Sequence, residues 1–329
     1  MGCRARREEP RAVALHEADA RSPERKEVRL TTAASTAGWF AGPQRLVLTN
    51  ESNEFHMLDF ADAGALRLLE HPPFQSDYHW LLLEGDVWGL LWYGADPRKP
   101  VSVLHQSVAD GPPKLLASFS LFPEGLRLDD DEVYVSWADK SYCASCSPKA
   151  EVRAVSRNGK GSRLLVSAGE LISFDLDDTD VYWLEGLHDS VVKRTPKRGG
   201  PTTLVGRPGQ QGYVFALRDR LVHVDFGRNS TKVAAKTTGS FTEANVDLRD
   251  AFLVHDCADL CWIAHPHVCD DAGSCTTDPD KREPQIRCWN GSAAPRTFAL
   301  TREPTWLALS PDRIAFGAAD GVFTVARPK

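Results

Sequence analysis

Residues 174–206 read FDLDDTDVYWLEGLHDSVVKRTPKRGGPTTLVG, and their pattern indicates the architecture of the chain. It contains three short apolar runs that are separated by segments rich in Asp, Gly and Pro. Short apolar runs between turn-forming residues are typical of β-strands joined by tight turns. The stretch therefore predicts one antiparallel unit of several short strands.

The same unit recurs along the chain as a Leu, a short polar turn that includes Asp, and an apolar strand. The recurrences are 83–94, 128–139, 176–186, 217–227, 248–257 and 309–320, with a weaker relative at 42–50. The strands after the turns start about 45 residues apart, and such a period with several strands per repeat is the signature of a β-propeller. The sequence therefore predicts an all-β fold, a β-propeller built from four-stranded blades.

The number of strands that follow a turn predicts seven blades. These strands start near residues 45, 86, 132, 180, 220, 251 and 313. The interval from 220 to 251 is short for a full blade, so six blades is the alternative. The last period lacks a fourth strand, and the run KEVRLTT (26–32) is expected to supply it and close the ring, which would remove exposed sheet edges.

Composition indicates a globular domain behind a charged leader. Of the 329 residues, 42% are hydrophobic and the formal net charge is −6. We expect residues 1–25 to be a disordered leader and residues 26–329 to form the propeller. An acidic chain without basic clusters argues against nucleic-acid binding, and no apolar run is long enough to span a bilayer. We expect a monomer.

The start of the chain raises the question of lipid anchoring. Gly2 and Cys3 followed by a polar tether resemble the beginning of a mature bacterial lipoprotein, in which Cys3 would be lipidated. The given sequence contains no signal peptide, because residues 1–28 have no apolar segment. The alternative is a surface cysteine in a flexible tail.

One blade resembles a known family of repeats. Asp180 to Trp183, followed by Val192 to Pro201, resemble YWTD-type propeller blades and a bacterial propeller repeat that is common in secreted myxobacterial proteins. The match is partial in 122–168 and weak elsewhere. The resemblance implies an extracytoplasmic propeller that binds proteins or carbohydrates and has no assigned activity.

Two long insertions mark the predicted binding face. They fall at 138–151 and 256–285, in connections between second and third strands, which share one face of a propeller. Neutral loop growth is the alternative. The ligand-facing residues that we predict from position and polarity are Tyr93, Asp96, Arg98, Lys140, Tyr142, Glu185, His188, Asp225, Arg228 and His255.

Cysteines are concentrated in and beside these two insertions. We predict that they form disulfides, which would fit an oxidising compartment. The candidates are Cys143, Cys146, Cys257, Cys261, Cys269, Cys275 and Cys288. The alternative is a zinc site, since the second insertion offers enough S and N ligands for a tetrahedron. The zinc candidates are Cys257, Cys261, His265, His267, Cys269 and Cys275.

Acidic residues cluster at 129–131 and 175–180, and their carboxylates are of the kind that binds calcium. They lie at turns between first and second strands, where Asp side chains bond their own backbone, so we predict a turn role and no bound metal. Nucleophile, zinc-protease and nucleotide-binding motifs are absent from the sequence.

We therefore predict a non-enzymatic, exported propeller that binds a protein or carbohydrate through the face with the long loops. A calcium-dependent propeller enzyme of the lactonase, lyase or glycosidase type is the alternative, and Asp175 and Asp247 keep it open. A purely structural envelope protein is the third possibility.

Overall fold

The computed structural model describes most of the chain after residue 27. The described residues are 28–31, 35, 37–40, 45–50, 54–60, 66–68, 78–84, 86–92, 101–108, 111–120, 122–138, 149–186, 188–225, 230–237, 239–246, 248, 253–264, 267–269, 275–277 and 285–327. The candidate leader, 1–25, lies outside them.

The described residues form seven four-stranded antiparallel sheets and one hairpin. Sheet 1 contains β2 (Ala37–Phe40), β3 (Arg45–Thr49), β4 (Phe55–Asp59) and β5 (Leu66–Leu68). Sheet 2 contains β6 (Tyr78–Glu84), β7 (Val87–Trp92), β8 (Val101–Val108) and β9 (Gly111–Phe119). Sheet 3 contains β10 (Phe122–Leu128), β11 (Glu132–Ala138), β12 (Ala150–Ser156) and β13 (Ser162–Ala168). Sheet 4 contains β14 (Leu171–Leu176), β15 (Asp180–Glu185), β16 (Val191–Pro196) and β17 (Thr203–Gly206).

The C-terminal part continues the same pattern. Sheet 5 contains β18 (Tyr213–Ala216), β19 (Arg220–Asp225), β20 (Ser230–Ala235) and β21 (Thr242–Ala244). Sheet 6 contains β22 (Leu253–His255), β23 (Leu260–Ala264), β26 (Gln285–Trp289) and β27 (Arg296–Ala299). The hairpin consists of β24 (His267–Cys269) and β25 (Cys275–Thr277). Sheet 7 contains β28 (Trp306–Leu309), β29 (Arg313–Ala318), β30 (Gly321–Ala326) and the N-terminal β1 (Val28–Thr31).

Strand β1 is the outer strand of the last sheet. It pairs antiparallel with β30, with Val28 opposite Thr324 and Arg29 opposite Phe323. The two ends of the described chain therefore meet in one sheet, and β30 has a neighbour on both sides.

Apolar side chains pack between neighbouring sheets. Six buried clusters in the described residues each join two consecutive sheets, and one of them joins sheet 7 to sheet 1. Strand β11 shows why the second strands are apolar throughout: Val133, Tyr134, Val135 and Trp137 are all buried, so both faces of the strand are covered.

The contact between sheets 7 and 1 depends on two glycines. The indole of Trp306 lies between them and donates from Nε1 to the carbonyl of Ser35 across 3.1 Å. A Cβ added at Gly38 would lie 2.4 Å from the Trp306 ring, and one at Gly317 would lie 2.0 Å from its Nε1. Only glycine leaves room for the indole at these two positions.

The ends of the strands define two surfaces. We call "turn face" the side with the turns that join first to second and third to fourth strands. We call "loop face" the opposite side, which carries the second-to-third connections and the connections between sheets. The predicted insertion 138–151 connects β11, which ends at Ala138 on the loop face, to β12, which begins at Ala150 on the same face; residues 139–148 lie outside the described residues.

The predicted start of the second strand is wrong for sheet 6. The second strand of this unit starts at Leu260 rather than near 251, because residues 256–259 form the turn. The Asp256 carboxylate accepts hydrogen bonds from the backbone amides of Ala258 and Asp259 at 2.8 and 3.0 Å. The predicted insertion 256–285 therefore includes a turn and strand β23, and the loop-face connection is 265–284, which contains the hairpin.

Candidate functional site

The predicted ligand-facing residues divide into two groups. Four of them are placed by the structure: Glu185, His188, Asp225 and His255. The others, Tyr93, Asp96, Arg98, Lys140, Tyr142 and Arg228, lie outside the described residues.

Glu185 and His188 lie at the loop face, as their sequence positions predicted. Glu185 ends β15, and its carboxylate accepts hydrogen bonds from Lys193 Nζ at 2.7 Å and Trp183 Nε1 at 3.3 Å. His188 is exposed in the short connection that follows. Ser190 donates from Oγ to the carbonyl of Gly186, which keeps this connection tight.

Asp225 and His255 occupy different environments from the predicted ones. Asp225 ends β19 but is buried, so its side chain does not lie on the surface of the loop face. His255 belongs to a first strand, β22, because the turn of sheet 6 begins at Asp256. Its ring packs against Phe215 at a centroid distance of 4.9 Å.

A charged cluster connects the first strands of neighbouring sheets. We call Arg127, Asp175 and His255 the inner-strand cluster. The buried Asp175 carboxylate accepts a hydrogen bond from Arg127 Nε at 2.9 Å and lies 2.8 Å from His255 Nε2. It also accepts the backbone amide of Ala216 at 2.6 Å. One carboxylate therefore links sheets 3, 4, 5 and 6.

The protonation state of Asp175 follows from these contacts. Burial alone would raise the pKa of its carboxyl group, but His255, Arg127 and the Ala216 amide outweigh burial and hold that pKa far below its usual value. Asp175 is therefore an anion whose oxygens are already occupied. This arrangement suits an ion pair between strands better than a calcium ligand.

The sequence contains a signal for this cluster, although Arg127 and Asp175 were not among the predicted ligand-facing residues. Arg127 and Asp175 each lie two residues before a turn aspartate, Asp129 or Asp177, so they share one repeat position on successive first strands. Equivalent positions in neighbouring sheets lie side by side, which brings the two charges together.

The turn aspartates have the predicted local role. Asp129 Oδ1 accepts the backbone amides of Asp131 and Glu132 at 3.0 and 2.8 Å. Asp177 Oδ1 accepts those of Thr179 and Asp180, both at 2.9 Å. Such hydrogen bonds stabilise the turn between first and second strands.

The second oxygen of each turn aspartate joins adjacent sheets. Lys236 Nζ of sheet 5 donates to Asp177 Oδ2 at 2.7 Å, and the Tyr182 hydroxyl donates to the same oxygen at 2.9 Å. Lys236 Nζ also lies 5.4 Å from the centroid of the Tyr182 ring. Burial and the nearby Asp177 charge raise the pKa of Tyr182, so its hydroxyl remains a donor.

Equivalent ion pairs occur at other sheet boundaries. Arg157 donates to both oxygens of Asp86 at 2.6 and 2.7 Å, which joins sheet 3 to sheet 2. Arg327 bonds to Asp256 and Asp259, which joins sheet 7 to sheet 6. In each case the cation is the residue that directly follows a third strand. These turn-face ion pairs are a structural feature of the repeat.

A cavity lies on the turn face of sheets 2, 3 and 4. Its volume is about 920 Å³, and Gln106, Arg157 and Arg163 contribute to its wall. Gln106 and Arg157 bond to Asp86, and Arg163 pairs with Glu132 at 2.6 Å. These three side chains are thus engaged within the protein, and the cavity does not coincide with the predicted binding face.

Cysteines crosslink the second and third strands of sheet 6 near their turn-face end. Cys261 and Cys288 lie directly opposite each other on β23 and β26 and form a disulfide. Cys257 is also disulfide-bonded. Neither Cys257 nor Cys261 is therefore a thiolate for zinc in this structure. Among the described residues, no three His, Cys, Asp or Glu side chains form a group that could hold a metal ion.

The remaining cysteine candidates are only partly placed. Cys269 and Cys275 face each other in the backbone register of the hairpin, to which His267 also belongs. Cys3, Cys143, Cys146 and His265 lie outside the described residues, as does Asp247. Their roles remain predictions.

The described part of the chain contains no helix with the length and hydropathy required to cross a bilayer.

Comparison with solved structures shows the fold. YCF48 in its complex with the D1 peptide has a TM-score of 0.52 at 9% identity, over 94% of this chain and 98% of that one. The designed protein Ika8 has a TM-score of 0.49 at 15% identity, over 91% and 97%. BamB from Moraxella catarrhalis has a TM-score of 0.48 at 12% identity, over 89% and 85%. YCF48 is a β-propeller protein, and the likeness to it shows that this chain has a β-propeller fold.

No family model matches the chain, and no curated protein is similar to it in sequence.

Proposed function

We propose that this protein is a non-enzymatic, exported β-propeller that binds a protein partner through its loop face. In this proposal the ring has seven blades and is closed by β1, which the pairing of β1 with β30 supports. The observation that carries the binding proposal is the hairpin of β24 and β25, which is inserted in the loop-face connection of sheet 6 between β23 and β26.

Several features support binding at this face. The turn face consists of short turns, and ion pairs of Arg157, Lys197, Lys236 and Arg327 connect neighbouring sheets there. The loop face instead carries an exposed His188 and the long connections of sheets 3 and 6. An insertion that contains its own paired hairpin is suited to recognition, because its ordering costs less on binding. The YCF48 structure contains a bound peptide, which makes a peptide segment of a protein a reasonable ligand.

Export is part of the proposal. Disulfides persist in oxidising compartments, so the Cys261–Cys288 bond favours the periplasm or cell surface. Lipidation of Cys3 is the further proposal for an anchor, and the intact mass of the protein from its own host tests it. A monomer, and a carbohydrate as alternative ligand, also remain proposals.

A photo-crosslinking experiment tests the binding proposal. A photoreactive phenylalanine analogue replaces His188 on the loop face or, as a matched control, the exposed Arg198 on the turn face of the same sheet. The full chain is then irradiated in an envelope extract of its host. We expect a discrete adduct with one protein from position 188 and none from position 198.

The outcomes distinguish the parts of the proposal. Adducts from position 198 alone would show that the face is wrong. No adduct from either position, or from equivalent positions around the loop face, would contradict a protein-binding function.

A further inference from the structure

The turn-face cavity has a second set of wall residues, beside the three that bond within the protein. Asp130 and Asp131 belong to the turn between the first two strands of sheet 3, and Arg198 belongs to the turn after the third strand of sheet 4. All three are exposed. The cavity volume of about 920 Å³ lies within the usual range of small-molecule sites, about 300 to 1,000 Å³.

The charges of these three side chains are unpaired. Among the described residues, the Asp130 and Asp131 carboxylates and the Arg198 guanidinium have no hydrogen bond or ion pair. This distinguishes them from Arg157 and Lys197, the neighbouring cations of the turn face, which pair with aspartates of the adjacent sheets. The cavity therefore combines unpaired charges of both signs on one concave surface.

The backbone that carries these charges is fixed by hydrogen bonds. The Asp131 carbonyl accepts the amide of Arg157 at 3.0 Å. On either side of Arg198, the Lys197 amide donates to the carbonyl of Thr179 and the Gly199 amide donates to the carbonyl of Pro196, both at 2.8 Å. Groups that are positioned before a ligand arrives lose less conformational freedom on binding.

A buried donor in the same wall also lacks a partner. Arg163 pairs with Glu132 through Nε and Nη2, at 3.2 and 2.6 Å, whereas its Nη1 is buried without a hydrogen bond within the described part of the chain. A buried donor of this kind is usually satisfied by a water molecule or a ligand. It adds to Arg198 a second donor for an anionic group.

The unpaired charges define the chemistry of a complementary ligand. Two carboxylates and one guanidinium are matched by a molecule that has two cationic groups and one carboxylate. A phosphate or a dicarboxylate would be repelled by Asp130 and Asp131, and an uncharged sugar would leave all three charges unpaired. A free amino acid with a basic side chain has the required combination.

We infer that the turn-face cavity binds a free basic amino acid of the lysine type. Asp130 and Asp131 receive its two ammonium groups, and Arg198 receives its carboxylate. Because the three side chains are exposed, each ion pair contributes little and the affinity is modest. This site lies on the face opposite to the proposed partner-binding surface, so the inference goes beyond the proposed function and does not depend on it.

The test titrates the full chain, labelled with ¹⁵N-arginine, with L-lysine at low ionic strength, where exposed charges are least screened. We expect one side-chain Nε signal, which is missing in Arg198→Gln, to shift saturably. Asp130→Asn and Asp131→Asn should each weaken binding about fivefold, the effect of losing one exposed ion pair. The controls Arg218→Gln and Asp219→Asn alter exposed charges of sheet 5 outside the cavity wall and should leave binding unchanged.

Matched ligands test the assigned roles. Lysinamide lacks the carboxylate, norleucine lacks the side-chain ammonium group, and each should bind about fivefold more weakly than L-lysine. Absence of a saturable shift with L-lysine would overturn the inference. Equal affinities for the three ligands, or equal losses in the cavity variants and the sheet 5 controls, would also overturn it. None of these results bears on the proposed function, which the adduct from position 188 tests separately.

Discussion

Lys197 donates from Nζ to Oδ2 of Asp129 across 3.0 Å, and this contact joins sheet 4 to sheet 3. Lys197 directly follows the third strand of its sheet and lies 5.2 Å from the centroid of the Tyr134 ring. Burial raises the pKa of Asp129, but the Lys197 charge and the turn amides outweigh burial and lower it. The Lys of the PKxGG sequence at 196–200 is therefore a contact between sheets rather than a ligand group.

Replacing Lys197 with Ala should destabilise the fold. The substitution leaves the half-buried Asp129 carboxylate without its cation, and loss of one partner of such a pair costs about 2 kcal/mol. Urea denaturation measures the free energy of unfolding. Lys160→Ala is the matched control, because Lys160 is exposed in a similar turn of sheet 3, and it should change stability little. Equal stability of the two variants would contradict the role of the ion pair.

The repeat in the sequence predicted the positions of most second strands. The predicted starts near 132, 180, 220 and 313 coincide with the first residues of β11, β15, β19 and β29. These strands combine an Asp-rich turn with a continuous apolar run, so local sequence is sufficient to locate them. Sheet 6 was misplaced because Leu248 to Asp250 resembles the turn that Asp256 to Asp259 forms.

The candidate site was less predictable because it depends on contacts between distant residues. Asp175 accepts the amide of Ala216 and bonds to His255, and both contacts join different sheets. The period shows which residues share a repeat position but not which side chains turn towards a neighbour.

Gly317→Ala should be strongly destabilising. The added methyl group would overlap the indole of Trp306, and overpacking of a buried site costs about 1 to 3 kcal/mol. Gly169→Ala is the control, because a Cβ there meets no atom within 4 Å. Thermal denaturation of the two variants measures the difference. Equal melting temperatures of Gly317→Ala and Gly169→Ala would show that the Trp306 indole does not pack closely on Gly317 in solution.

Removal of the disulfide should weaken sheet 6. The Cys261→Ala/Cys288→Ala double variant loses a crosslink that spans 27 residues, and such a loss costs about 3 kcal/mol. Peptide mapping without reductant should recover the two cysteines in one linked fragment of the wild type. With reductant present, the stability difference between wild type and variant should shrink. If the stability difference stays the same in the presence of reductant, the loss arises from the packing of the two cysteine side chains and not from the crosslink.

Asp175→Asn should be among the most destabilising polar substitutions. It leaves Arg127 and His255 beside a neutral amide, and breaking a buried ion pair costs about 3 to 5 kcal/mol. Asp219→Asn, in the exposed turn of sheet 5, is the control and should be nearly neutral. Chemical denaturation at pH 7 compares the two. A small loss for Asp175→Asn would mean that the inner-strand cluster does not hold the four sheets together.

His223 should make stability depend on pH in a defined window. Burial lowers the pKa of this residue to about 4, and the Gln210 carbonyl offsets burial only in part. The usual pKa of histidine in an unfolded chain is about 6.5, so between these values the unfolded state binds more protons than the folded state. Stability therefore rises with pH from about 4 to about 6.5, by up to about 3 kcal/mol, and falls on acidification. The unfolding free energy, measured as a function of pH across this window, should change less for His223→Gln than for the wild type. The control is His188→Gln, at an exposed position, which should show the same pH dependence as the wild type. Parallel profiles for the wild type and His223→Gln would show that the imidazole is not buried in its neutral form.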